Sequence, residues 1–169
     1  MGDVKAPDNI RAERFTQLVH AYQGTLINLC YMHLHDDELA KDAVQETFLK
    51  AYKGIDAFQG ESAERAWLIK IALNTCRDMK RSAWYRHVNR SITPEDIPCA
   101  ADEQVHSDAL DLADAIMRLP DKYKEVILLH YFQDMPLSDI APIAGITKSM
   151  VSRRISKARA LLHGLLGEE

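Results

Sequence analysis

No stretch of this 169-residue sequence approaches the roughly 18 consecutive apolar residues that a membrane span requires. The opening segment, MGDVKAPDNIRAER, lacks the apolar core of a secretory signal as well. Both absences predict a soluble, cytoplasmic protein. Gly2 follows Met1, but Pro7 and the lack of Ser or Thr near position 6 do not suit a lipidation signal. Cysteine is scarce: Cys30, Cys76 and Cys99 are far apart, odd in number and set in no CxxC or Cys/His spacing. They read as reduced thiols, neither a disulfide frame nor a zinc site. Histidines are equally dispersed. His33 and His35 share a turn without a third ligand nearby, so no metal and no cofactor is expected. GxSxG, Walker-type and GxGxxG patterns are all missing, and no nucleophile has an evident base beside it, which argues against an enzyme. Positive charge is not in excess either. With 21 Lys+Arg against 25 Asp+Glu the net charge is −4, which excludes a free-standing module held to DNA mainly by phosphate neutralisation. A nucleic-acid role must rest on local patches.

What is present is helical periodicity. From about Asn9 to Met32, apolar residues recur at Phe15, Leu18, Val19, Tyr22, Leu26, Leu29 and Cys30, the pattern of an amphipathic helix. Asp36 or Asp37 can cap the next helix, which stops near Gly54 and buries Ala40, Ala43, Val44, Thr47, Phe48, Ala51, Tyr52 and Ile55. After a short loop, Ser62 offers an N-cap for a third helix with Leu68, Ile71, Ala72, Thr75, Cys76 and Met79 inward. Three such stripes make a bundle. Periodicity then fails from about Val88 to Ser107, where Pro94, Pro98 and acids without basic partners mark a linker. Two helices split by Pro120 follow, with Asp121 as the expected cap, and then a short helix, a turn at Gly145 and a long closing helix. Helix, glycine turn, helix is the pattern of a helix-turn-helix. The expected fold is all-α: an N-terminal helical bundle over residues 9–87, a flexible acidic linker over 88–107, and a C-terminal helix-turn-helix bundle over 108–166.

Three outward faces carry chemistry. On the second helix, Leu49 stands opposite the buried stripe, ringed by Asp42, Gln45, Glu46 and Lys53. It is either a scattered surface leucine or the anchor of a partner face whose charged ring sets orientation. On the third helix, Lys70, Asn74, Arg77 and Arg81 share the side opposite the core, with Trp67 at its edge and Trp84, Tyr85 and Arg86 beyond. Cations suit phosphates and aromatic rings suit unstacked bases, so the face fits melted nucleic acid, although for the stripe taken alone a solvated charged face with Trp67 packed inward is the better reading. The last helix leaves Ser149, Ser152, Arg153, Ser156 and Lys157 outside a stripe of Val151, Ile155, Ala158 and Leu162. No acid occurs from Pro142 to Gly167. Complementing the helix dipole would account for Lys157 and Arg159 but not for Lys148 and Arg153 near the N-terminus, so duplex DNA is the better reading.

The order DAVQETFLKAY, FQGESAERAWLIKIALNTCRDMKR, LPDKYKEVILLHYF and LSDIAPIAGI…VSRRISKARALL resembles a bacterial RNA polymerase sigma factor of the extracytoplasmic-function type. The resemblance implies that Asp42, Gln45, Glu46 and Leu49 dock on core RNA polymerase, whose largest catalytic subunits and flap would be partners. It implies a promoter minus-ten site in which Phe58, Gln59, Glu61, Ser62 and Arg65 surround a flipped base, with Lys70, Asn74, Arg77 and Arg81 on nearby strand and phosphates. It also implies that Lys148, Ser149, Ser152, Arg153, Arg154, Ser156 and Lys157 read the minus-thirty-five duplex. The linker would thread toward the RNA exit path, an anti-sigma protein would hold the chain inactive, and the free chain would be a monomer. Two departures stand out. Ser149–Ser152 replaces the family's usual Gly-Thr-Val-Lys, removing a cation from a base-reading position and implying a different promoter sequence. Pro142 is unstrained if Asp139 caps its helix, but costs a hydrogen bond if Ser138 does. Rival readings are a stand-alone helix-turn-helix repressor or activator, which would bind a palindrome as a dimer, and a sigma-like adaptor without promoter activity.

Overall fold

A computed structural model of the protein describes residues 7–58, 63–88 and 108–167, with side chains for all of these except 84–88 and 108–111. The expected linker apart from Val88, the side chains of Trp84, Tyr85 and Arg86, and Gln59, Glu61, Ser62 and Cys99 lie outside the described residues. Every regular element described is helical, and the chain divides into two compact units, Met1–Ala83 and Trp84–Glu169.

The first unit is built on α1 (Asp8–Leu34), α2 (Asp37–Gly54), a 3₁₀ turn (Ile55–Ala57) and most of α3 (Glu64–Val88). α1 stops where His35 enters the left-handed region at φ 57° and its N–H donates to the Tyr31 carbonyl at 2.8 Å. The next residue, Asp36, is extended, and its carboxylate accepts from the Leu39 N–H at 2.9 Å. That cap, followed by Asp37 and Glu38 in the first turn, stabilises the positive end of α2. The short connection lays α1 and α2 side by side, with Leu18, Leu26, Leu29 and Cys30 of one and Ala40, Ala43, Val44, Thr47, Phe48 and Ala51 of the other buried. Tyr52 departs from its expected place in the stripe: it is 38% exposed, packed edge-on against Phe15 with ring centroids 5.0 Å apart.

α3 buries more than its predicted stripe. Ile69 and Leu73 are inside along with Leu68, Ala72, Thr75 and Cys76, while Ile71 and Met79 are half-buried. The sector is wide because α3 meets two helices: Lys50 of α2 donates to the Thr75 hydroxyl at 3.1 Å, and Cys30 of α1 hydrogen-bonds Cys76. That thiol contact, with burial, pushes Cys30 well above the usual thiol range. Both cysteines are free and buried, as reduced thiols should be.

The second unit contains α4 (Asp108–Met117), α5 (Asp121–Ile127), a π-helical turn (Leu128–Phe132), α6 (Leu137–Ala144) and α7 (Lys148–Leu166). Pro120 occupies the N-cap of α5, so Asp121 is its first residue and not its cap. The expected capping of α6 is also corrected. Pro136 takes the N-cap, neither Ser138 nor Asp139 does, and Pro142 therefore falls beyond the first turn, where its missing N–H leaves the Ser138 carbonyl without its helical donor. At the other end of α6, Gly145 adopts φ 67°, and the N–H groups of Gly145 and Ile146 both donate to the Ala141 carbonyl. Thr147 then caps α7, its hydroxyl accepting from the Met150 N–H at 3.3 Å. The core gathers Ile116, Leu119, Val126, Leu129, Ile140, Val151 and Ala158.

Candidate nucleic-acid and partner interfaces

α2 presents its outer face as the periodicity requires. Leu49 is 54% exposed, and Asp42, Gln45 and Glu46 around it are exposed too. Their charges are unequally engaged. Lys50 lies 3.9 Å from Glu46, whereas Asp42 makes no ion pair among the described residues. One turn back, Lys41 is tied to Asp37 at 2.7 Å and Glu38 at 3.2 Å, and with Lys50 and Lys53 also exposed the face around Leu49 is of mixed charge. A leucine exposed at the middle of an orienting ring can bury its side chain only against another molecule.

The second face begins at the end of the 3₁₀ turn. Phe58 and Trp67 stack with centroids 4.8 Å apart and planes at 10°, and Trp67 packs with Phe15, Tyr22 and Ile71 on the cluster of Leu18, Ala51, Ile55 and Leu68. Trp67 is therefore turned inward, half-buried, with one ring face covered. Arg65 is half-buried beside Tyr22 and Glu64; burial first, and then Glu64, raises Tyr22 above the ordinary tyrosine value. Lys70, Asn74 and Arg81 are exposed along α3, and Arg77 donates to the Asn74 side chain at 2.8 Å. The cationic stripe exists as a surface, but the aromatic side chains at 84 and 85 are not among those described.

α7 supplies the third face. Lys148, Ser149, Ser152, Arg153, Ser156 and Lys157 are exposed, Arg154 is half-buried, and Val151, Ile155 and Ala158 hold the opposite side in the core. The Gly145 turn and the Thr147 cap set α7 at the surface with small hydroxyls between long cations. Such a face lets the backbone approach a groove while Arg153 and Lys157 reach base edges or phosphates.

One surface escaped the sequence reading. A cleft of about 380 Å³ opens in the second unit among Leu112, Ile116, Ile127, Tyr131, Phe132 and Leu162, with Arg159 on its lining. The π-helical turn makes it: an extra residue in the turn leaves Leu128 and Leu129 buried while Tyr131 and Phe132 are 49% and 55% exposed. An ordinary helix through LLHYF gives no hint of that rotation. His130 helps fix it, its Nδ1 lying 3.0 Å from the Met135 carbonyl, an arrangement that requires the proton on Nδ1. Among the described residues no group of metal-ligating side chains is assembled, and no helix is long and apolar enough to cross a membrane.

Residues 18–86 match the sigma-70 region 2 family, and residues 109–162 match sigma-70 region 4. The two regions, in this order, define a transcription initiation factor of the sigma-70 class. Similar proteins include the ECF RNA polymerase sigma-E factor of Haemophilus influenzae, 30% identical across 88% of this chain and 85% of that one. The ECF sigma factor SigW of Bacillus subtilis is 32% identical across 89% and 87%. Among solved structures, the sigma factor RpoE bound to the anti-sigma factor NepR from Bartonella quintana superposes with a TM-score of 0.76. It is 26% identical, over 93% of this chain and 99% of that one. CnrH in complex with the cytosolic domain of CnrY gives a TM-score of 0.68 at 27% identity, over 94% and 90%. The chain belongs to the extracytoplasmic-function sigma factors. It is an alternative sigma factor that directs promoter-specific transcription, and neither a stand-alone regulator nor an adaptor is favoured.

Proposed function

We propose that the three faces divide the work of promoter recognition, over a domain at residues 9–87, a linker at 88–107 and a domain at 108–166. Asp42, Gln45, Glu46 and Leu49 dock on the largest subunits of core RNA polymerase. Phe58, Gln59, Glu61, Ser62 and Arg65 hold a flipped base of the minus-ten element, while Lys70, Asn74, Arg77 and Arg81 follow the melted strand. Lys148, Ser149, Ser152, Arg153, Arg154, Ser156 and Lys157 read the minus-thirty-five duplex. The cleft bordered by Tyr131 and Phe132 takes an apolar segment of the polymerase flap. Melting draws on binding alone: unstacking a base costs on the order of a few kcal/mol, offset by pocket and phosphate contacts, so the chain needs no catalysis and no cofactor of its own. The protein works in the cytoplasm and is a monomer when free. An anti-sigma protein covers the polymerase and DNA faces, as NepR partners RpoE.

The observation that carries this reading is Leu49, exposed by 54% at the centre of a ring of charged and amide side chains on the helix that contains DAVQETF. Its test is co-migration of the purified protein with bacterial core polymerase on a sizing column. Wild type is expected to co-migrate, and Leu49→Asp or Asp42→Lys with Glu46→Lys to elute alone with an unchanged helical spectrum. Failure of the folded wild type to bind would contradict it.

A further inference from the structure

The segment leading into the minus-ten face is gripped by α1. Along that helix Arg11, Phe15, Leu18 and Tyr22 recur at i, i+4, i+7 and i+11, so a single stripe carries all four, with Arg14 at its edge. The middle of the stripe is apolar and packs with Ala51, Ile55 and Leu68, the same cluster that Trp67 covers. Its ends are polar. Arg11 Nη2 donates to the Tyr52 carbonyl at 2.8 Å, Arg11 Nη1 lies 3.3 Å from Asp56 Oδ2, and the guanidinium sits 4.5 Å from the centroid of the Tyr52 ring. Arg14 Nη2 donates to the Phe58 carbonyl at 3.3 Å. Beyond the loop, the Tyr22 hydroxyl hydrogen-bonds the carboxylate of Glu64, the first residue of α3.

Each contact meets a need of the chain it holds. Tyr52 is in the last turn of α2, whose final carbonyls have no helical donor, and a cation there complements the negative end of the dipole. A planar guanidinium satisfies a carbonyl and a carboxylate at once, which a lysine ammonium cannot do in one plane. The Phe58 carbonyl is where the described chain leaves the 3₁₀ turn, and the Phe58 ring is the one stacked on Trp67. The Trp67 ring also lies close over Gly54: a Cβ added there would come within 3.3 Å of its Cζ2. Arg11 and Arg14 precede the region 2 match, which begins at residue 18.

We propose that Arg11 and Arg14 are positioning residues for promoter recognition, fixing the Tyr52–Phe58 turn and the Phe58–Trp67 stack in the geometry that discriminates minus-ten bases. The proposal rests on the reading of the first unit as the minus-ten reader. It is tested on holoenzyme reconstituted with core polymerase, titrated with fluorescent single-stranded minus-ten oligonucleotides carrying each base in turn, at several salt concentrations. Arg14→Ala is expected to lower the preferred-to-disfavoured affinity ratio about tenfold, the scale of one hydrogen bond to a charged group. The slope of log affinity against log salt and the binding to core polymerase stay at wild-type values. Arg14→Gln, which keeps an N–H donor, restores part of the ratio. A slope reduced by about one with the ratio intact would make Arg14 a phosphate contact and overturn the proposal. So would a lowered melting temperature with ratio and slope both intact. Should Arg14→Ala not fold, Arg14→Met, which keeps the apolar stem, carries the same expectation. Wild-type holoenzyme that discriminates no base would overturn the minus-ten reading itself, whereas full discrimination by Arg14→Ala overturns this proposal alone.

Discussion

Leu49 gains little for the folded monomer from its position, because about half of it stays in water after folding. Covering its exposed half against a partner recovers on the order of 1 kcal/mol, and a carboxylate buried in its place adds a desolvation cost, so Leu49→Asp should weaken core polymerase binding by about tenfold. Its melting temperature should stay within about a degree of wild type, as for other exposed positions. Calorimetry and a binding titration on the same sample check both halves. Tyr22 makes a pH prediction. Burial and Glu64 raise its folded value above the ordinary 10.0, so the unfolded chain releases the proton first. Stability is then fully present below pH 10 and falls as pH rises through the folded value. Tyr22→Phe should flatten that alkaline decline, measured by denaturant midpoints between pH 8 and about 11. Leu49 was readable from spacing alone, because an outward leucine contradicts its own helix. Arg11 and Arg14 were not: their partners are backbone carbonyls some forty residues away, which no local pattern announces.

Helices were legible wherever a buried stripe repeats every three or four residues, and errors collect where the signal is a single residue. Asp121 and Asp139 are good capping types, yet proline takes the cap position of both helices because its fixed φ suits the turn that precedes them. Pro142 is the element-scale consequence. Pro142→Ala should restore a donor to the Ser138 carbonyl and stabilise the second unit by up to about 3 kcal/mol, read from its thermal midpoint. α7 separates two kinds of contact. If Lys157 meets phosphate, Lys157→Ala lowers affinity for all minus-thirty-five sequences alike and reduces the salt slope by about one. If Arg153 reads a base, Arg153→Ala costs about 1–3 kcal/mol and relaxes selectivity at one position, checked by competition among duplexes. The π-helical turn was invisible because LLHYF fits an ordinary helix equally well; only the rotation of Tyr131 and Phe132 reveals it.

At the scale of the whole molecule, a net charge of −4 coexists with a last helix free of acids, so like charges are sorted by surface. A mixed-charge α2 face around an exposed leucine suits a protein partner and a basic α7 face suits DNA, and neither alone supports tight, polymerase-independent binding to a promoter. The sequence carried this division because faces are set by helical spacing, whereas the cleft in the second unit needed packed side chains to exist at all. As a sigma factor, this chain makes polymerase choose promoters. The direct measurement is transcription in vitro on fragmented DNA of its own genome, with core polymerase alone or with the purified protein, followed by sequencing of RNA 5′ ends. A set of new start sites sharing two upstream elements is expected, lost with Leu49→Asp and with Arg153→Ala, Lys157→Ala together. Start sites no different from those of core polymerase alone, with the protein folded and bound to it, would show that the chain does not select promoters.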